Sequence, residues 1–197
     1  APMQFLPLTL YVAKVGLPAF EESMTAQYEL TKRFTAEFSI RAFLIGEPER
    51  TLARLRDWTA DPDDNVRRLV SEGTRPRLPW AARLPAFIAD PTPVLTLLEL
   101  LRDDPSQYVR RSVANNLNDI SKDHPELVVA LAERWSADGD QNRNRLVRHA
   151  LRTLVKRGDP QALAVLGHAA ADHVEVAGVD AQPAEVAIGE RVRITVT

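Results

Sequence analysis

Lys32-Arg33-Phe34-Thr35-Ala36-Glu37, Arg67-Arg68-Leu69-Val70-Ser71-Glu72, Arg110-Arg111-Ser112-Val113-Ala114-Asn115 and Arg148-His149-Ala150-Leu151-Arg152-Thr153 are four renderings of one short pattern. They begin 35, 43 and 38 residues apart, close to the helix-pair repeats of α-solenoids, which run to about 40 residues. Two copies follow an Asp-Pro, at Asp61-Pro62 and Asp104-Pro105. Stacked repeats place equivalent positions on one wall. The spacing therefore predicts an all-α solenoid whose wall carries two or three cations per repeat, with Glu37, Glu72 and Asn115 at the sixth position. A basic wall with carboxylates at its centre is suited to gripping a polyanion and doing chemistry on it.

Outward from these copies, helical periodicity runs from about Phe5 to Ala170. It stops and restarts at Gly46-Glu47-Pro48, Asp61-Pro62, Arg75-Pro76-Arg77-Leu78-Pro79, Asp90-Pro91-Thr92-Pro93, Asp104-Pro105, Asp123-His124-Pro125 and Gly158-Asp159-Pro160, the residues that end and begin helices. From Val174 the period becomes two: Val174, Val176, Val186, Ile188, Val192, Ile194 and Val196 alternate with polar residues, with a turn at Gly189-Glu190. The expected organisation is a helical-repeat domain over 1–170 and the first strands of a second domain over 174–197. Two or three strands fall short of the about seven of a β-sandwich, so that second domain is expected to be truncated; a strand hairpin packed on the last helix is the alternative. The chain opens at Ala1 inside an apolar pattern, and further residues are expected upstream.

The 197 residues carry a formal charge of −2, which excludes a generally basic, histone-like protein, but the charge is sorted. From Gln141 to Arg157 stand Arg143, Arg145, Arg148, Arg152, Lys156 and Arg157 with no acid, while acids crowd connections such as Asp61 to Asp64. Sorted charge gives a near-neutral protein a local positive field. The absence of cysteine excludes disulfides and thiolate zinc sites and is compatible with a cytoplasmic protein. No apolar run approaches the ~18 residues of a membrane span, so no membrane partner is expected.

On a helical wheel the second copy puts Val66, Leu69 and Val70 on the core side and Arg67, Arg68 and Ser71 opposite, with Glu72 on the flank. In the third, Val109, Val113, Leu117 and Ile120 form the apolar stripe and Arg111, Asn115, Asp119 and Lys122 share the other side. Asn116 falls at the apolar edge, as a buried amide tying a loop would. The fourth buries Val147, Leu151, Leu154 and Val155 and exposes Arg145, His149, Arg152 and Lys156, beside Arg148. With Arg75 and Arg77 after the second copy, these cations are the expected contacts to a phosphate backbone, because like charges in register repel unless an anion neutralises them.

Glu72 is the only acid between Val66 and Phe87; an i,i+4 pair with Arg68 would explain it structurally. Glu37 lies in a segment, Phe34 to Ile45, that reads as a largely buried helix, and Arg41 is the partner it would need there. Asp119 lies one turn beyond Asn115. Carboxylates gathered beside a polyanion are costly unless they serve a cationic centre: a metal, a cationic base or a developing oxocarbenium ion. No metal and no cofactor are expected, since His124, His149, His168 and His173 lack ligand spacing and no calcium-type or glycine-rich phosphate loop exists. Ser71 and Ser121 have no histidine at informative spacing. Trp80, on a proline-rigid turn between arginines, is a candidate contact to sugar or base.

Arg33 to Arg41, Val66 to Trp80 and Val109 to Pro125 closely resemble the bacterial alkylpurine DNA glycosylases with HEAT-like repeats, the AlkC subfamily. The resemblance covers nearly the whole chain. It implies HEAT-like repeats followed by an immunoglobulin-like domain, which accounts for the strands expected at the end. It further implies a DNA-repair enzyme that hydrolyses the N-glycosidic bond of cationic N-alkylated purines, chiefly 3-methyladenine, in double-stranded DNA without flipping the base and with no obligatory protein partner. By motif, Glu37, Glu72 and Asp119 are the implied catalytic residues and Trp80 the contact to the lesion nucleotide. Where the related AlkD subfamily has a tryptophan on the helix matching Val109 to Ile120, this chain has Asn115, which speaks against an aromatic cage of that type and leaves Asn115 as a polar substrate contact. Such a base is a good leaving group, so an ionised carboxylate that stabilises the sugar cation and orients water suffices; Glu72 is the first candidate. The alternatives are a non-catalytic nucleic-acid-binding solenoid and a protein-interaction scaffold.

Overall fold

The structure, a computed structural model, describes residues 3–169 and 175–197. Ala170, His173 and Val174, to which the sequence assigns the end of the repeats, a histidine without ligand spacing and the first strand position, lie outside the described residues. The chain divides into two compact units, Ala1–Gly167 and His168–Thr197.

The first unit is helical. After a turn of 3-10 helix at Met3–Phe5 come α1 (Leu6–Val15), α2 (Phe20–Arg33), α3 (Ile40–Gly46), α4 (Pro48–Trp58), α5 (Asp64–Gly73), α6 (Pro85–Ala89), α7 (Thr92–Leu101), α8 (Gln107–Ile120), α9 (Pro125–Ser136), α10 (Gln141–Ala150), α11 (Arg152–Lys156) and α12 (Pro160–Val165). Proline stands in the first turn of α4, α6, α7, α9 and α12, where its missing N–H costs nothing and its fixed φ suits the helix. Asp63, Asp140 and Asp159 cap α5, α10 and α12 through backbone N–H groups of Asn65, Arg143 and Ala162.

The helices form two rows. α2, α5, α8 and α10 pack on one another in sequence, and α4, α7, α9 and α12 back them. Between the rows runs one core of Met24, Ile40, Phe43, Leu55, Val66, Leu69, Leu98, Val113, Ile120, Trp135, Val147 and Leu151. This is a stack of HEAT-like helix pairs in which each repeat touches its neighbours, with the second, third and fourth pattern copies on α5, α8 and the α10–α11 junction.

The first copy differs from expectation. α2 ends at Arg33, Phe34 leaves the helical region at φ −144°, ψ −102°, and residues 34–39 form a turn before α3. Glu37 is therefore on a turn, not in a buried helix. Thr35 supplies the local reason: its hydroxyl oxygen accepts from the Glu37 backbone N–H at 3.5 Å, a side chain bonding the backbone two residues on as in a turn, and the hydroxyl donates to the Glu37 carboxylate.

In the second unit β1 (Val179–Gln182) pairs antiparallel with β2 (Arg193–Val196), Val179 opposite Val196. Gly189, at φ +99°, turns the connection, and Val186, Ile188 and Val192 lie in that connection outside the strands. Both strands are exposed throughout.

Candidate active site

Glu72 lies in the last turn of α5 and is 5% exposed. That is a poor place for a carboxylate, both buried and at the negative end of a helix dipole. The surroundings compensate. Arg75 Nη1 donates to its Oε1 at 2.7 Å, Arg68 Nη2 stands 3.6 Å from the same oxygen, and the Ser112 hydroxyl on α8 donates to Oε2 at 2.7 Å. Ser71 Oγ in turn donates to Ser112 Oγ at 2.7 Å.

From Glu72 the network extends both ways. Arg68 also pairs with Glu37, joining the first turn to α5. Arg75 Nε donates to Asp119 Oδ2 at 2.8 Å, and Lys122 Nζ to Asp119 Oδ1 at 2.9 Å. Glu37, Arg68, Glu72, Arg75, Asp119 and Lys122 thus alternate in sign across three repeats, and the three carboxylates expected to act together are joined through two arginines. Burial works against the charge of Arg75, but Asp119 and Glu72 outweigh it and raise its pKa. Among the described residues no group of three His, Cys, Asp or Glu is arranged to hold a metal.

Arg41, expected to pair with Glu37, does something else. Its buried guanidinium donates to the carbonyls of Gly73 at 3.0 Å, Arg75 at 2.8 Å and Ala82 at 2.7 and 2.5 Å. Burial first, and then Arg75, push its pKa down to about 10, with Asp119 opposing. The donors of Arg41, the Leu84 N–H bonded to the Pro76 carbonyl at 3.1 Å, and buried Leu78 and Leu84 close the segment 74–84 into a fixed loop. At its tip Trp80 is 97% exposed and has φ +61°. A bulky residue in the left-handed region costs of order 1–3 kcal/mol, and an exposed indole gains nothing from packing.

The cations divide by partner. Arg67 forks onto Asp104 of the next repeat at 2.7 and 3.0 Å and also donates to the carbonyls of Asp61 and Pro62; Arg110 repeats the motif on the carbonyls of Asp104 and Pro105. The first arginine of each Arg-Arg thus clasps its own Asp-Pro turn. Arg77 forks onto Asp123. Arg111, Arg145, Arg148 and Lys156 are exposed and have no acid within ion-pair distance among the described residues. Arg152 donates to the His149 carbonyl at 2.6 Å and to Asn115 Oδ1 at 3.1 Å, leaving the Asn115 amide N–H groups available. Asn116 donates to Ser71 O and Thr74 Oγ1, tying the end of α5 to α8.

Two neighbours of the carboxylates escape the sequence reading. Ser112 carries a faint signal, a hydroxyl in the apolar register of Val109, Val113 and Asn116. Tyr108 carries none; its half-exposed ring lies 5.2 Å from the Arg68 guanidinium. Burial raises its hydroxyl pKa, Arg68 lowers it, and Glu37, Glu72 and Asp64 raise it further.

Residues 88–179 match the HEAT-repeat family model. The chain is 44% identical, over 96% of its length and 52% of the other chain, to Pseudomonas fluorescens alkylpurine DNA glycosylase AlkC bound to DNA containing an abasic site analog, with a TM-score of 0.89. It therefore resembles AlkC in both sequence and fold. It is also 46% identical over 180 residues to the uncharacterized protein YhaZ of Bacillus subtilis (strain 168), covering 91% of this chain and 50% of that protein. The chain spans about half the length of both relatives.

Proposed function

We propose that the chain carries the DNA-binding and base-excising part of an alkylpurine DNA glycosylase, acting in cytoplasmic DNA repair on double-stranded DNA that contains cationic N-alkylated purines such as 3-methyladenine. One observation carries the reading: three carboxylates on three successive repeats are linked by arginines into a single line, on a domain similar in sequence and fold to AlkC. Stability alone does not call for this arrangement, because buried ion pairs can be replaced by apolar groups at little or negative cost.

In the reaction the C1′–N bond breaks and its electron pair passes to the base, neutralising the alkylated ring; water adds to C1′ and gives up a proton. Positive charge migrates to the sugar, and an ionised carboxylate fixed in advance stabilises it without reorganising. Glu72 takes this role, held by Arg75 and Ser112, with Glu37 or Asp119 orienting the water. Trp80 and the Asn115 amide contact the lesion nucleotide. The base stays unflipped, since cleavage needs access to the sugar rather than a pocket around the base. Arg111, Arg145, Arg148, Arg152, His149 and Lys156 face the phosphates, while Arg67, Arg68, Arg75, Arg77 and Lys122, expected from the sequence as DNA contacts too, spend donors on protein acids instead. β1 and β2 belong to an immunoglobulin-like domain.

A second reading, a non-catalytic duplex-binding solenoid, is favoured by the fact that each carboxylate already has a cationic partner. Incubating the chain in excess with N-methylated duplex DNA and measuring free base separates the two. Release of 3-methyladenine supports the enzyme. Duplex binding without release returns the chain to a binder, and neither binding nor release leaves a protein-interaction scaffold.

A further inference from the structure

Between α8 and α10 lies a cavity of about 270 Å³ lined by Gln107, Arg110, Arg111, Asn142, Arg145 and His149, with no acid among its lining residues. One wall is fixed, because Arg110 is anchored on the Asp104 and Pro105 carbonyls and lies 3.3 Å from Asn142 Oδ1. Arg111 and Arg145 are exposed and have no acid partner among the described residues, whereas Arg143 on the same helix is paired with Asp103 and Asp138. An unneutralised cationic wall around a cavity attracts an anion, and planar guanidinium donors match phosphate oxygens.

His149 adds a second, independent feature. Its Nε2 lies 2.9 Å from Asn115 Oδ1, which also takes an N–H from Arg152 at 3.1 Å. A guanidinium only donates, so this atom of Asn115 is the oxygen, and Nε2 of His149 must donate to it. The neutral ring then carries its proton on Nε2, and Nδ1 is a bare acceptor. Burial, then Arg152 on α11 and Arg111 on α8, lower the pKa of His149; Arg110 on α8 and Arg145 on α10 are the other charges lining its cavity. The empty cavity thus favours the neutral ring, and an entering anion works the other way, offsetting the arginines and attracting the imidazolium.

We propose that this cavity is a phosphate-binding site, for a backbone phosphodiester of duplex DNA or for a free phosphate, in which His149 takes a proton from solvent as the anion enters. The duplex form of the site deepens the function proposed above; the site itself does not depend on base excision. By linkage, protons taken up on binding make the anion bind more tightly as pH falls. The gain begins below the raised pKa of the complex, grows by up to about tenfold per pH unit, and levels off below the lowered pKa of the free protein.

The test follows the His149 ring by NMR from pH 5 to 8 in chloride buffer. It compares the full chain alone, with inorganic phosphate, and with an undamaged duplex, using His149→Gln to assign the signal. A rise of about one unit in the His149 pKa, a tenfold gain in proton affinity, with His124 and His168 unmoved, is expected with at least one probe and should vanish in Arg145→Ala. A rise with inorganic phosphate places a free-phosphate site; a rise with duplex alone places a phosphodiester site. An unmoved His149 with both probes, or an equal rise in Arg145→Ala, overturns the proposal. Failure of base release with the His149 shift intact would sink the glycosylase reading and leave this site standing.

Discussion

At Glu72 the local physics is unfavourable and the neighbourhood is built to offset it: two arginines and a hydroxyl hold a carboxylate that burial and the end of α5 both disfavour. Removing one supporting donor should therefore be felt twice. Ser112→Ala should lower stability by about 1.5–3 kcal/mol, the range for a hydrogen bond to a charged group, and should slow single-turnover excision, because the carboxylate loses the donor that fixes Oε2. An unchanged rate beside a lowered melting temperature would make Ser112 structural only. Trp80 predicts the opposite balance. Trp80→Gly relieves strain of about 1–3 kcal/mol against a glycine entropy cost of roughly 0.5–1 kcal/mol, so thermal stability should hold or rise while affinity for lesion-containing duplex falls. Unaltered affinity would remove Trp80 from the interface. At this scale the sequence names the charged residues but not their geometry: Glu37 and Arg41 stand four apart as if paired, yet a turn at Thr35 sends Glu37 to Arg68 and frees Arg41 to hold the Trp80 loop.

Among the elements, the first arginine of each Arg-Arg clasps the Asp-Pro turn before it, and Arg67 of α5 also reaches Asp104 ahead of α8. Arg67 and Asp104 are 37 residues apart and nearly buried, so breaking the pair leaves an uncompensated charge. Arg67→Ala should destabilise the protein by about 3–5 kcal/mol and leave the salt dependence of DNA binding unchanged. Replacing Arg148 and Lys156 with Ala should do the reverse, leaving the melting temperature level and lowering the salt slope by about 0.9 for each phosphate that is no longer neutralised. Equal slopes in both variants would erase the division between clasping and phosphate-facing cations. That division is invisible in the sequence because both classes are arginines on the polar side of the same wheel; only pairing across repeats separates them. The helices themselves were legible, because proline and capping aspartate mark their ends and the apolar stripes of α5 and α8 recur in register.

For the molecule as a whole, the repeat spacing was enough to read a helical stack, since a stack needs only that equivalent positions recur. The strand pattern near the end was legible in kind but not in extent: a period of two fits any exposed alternating segment, and only 179–182 and 193–196 find each other. With both strands exposed, limited proteolysis should cut first within His168–Thr197 and leave the Ala1–Gly167 unit folded. Equal protection of both units would contradict a weakly stabilised sheet. The central claim is that Glu72 is an ionised carboxylate that stabilises a cationic transition state, and the most direct measurement is single-turnover release of 3-methyladenine from N-methylated duplex by wild type and Glu72→Gln, with duplex affinity and melting temperature measured alongside. The substitution keeps the shape and removes the charge, so release should fall by about 10²-fold or more while duplex binding holds or tightens. Release at the wild-type rate from a folded, DNA-bound Gln variant would contradict it.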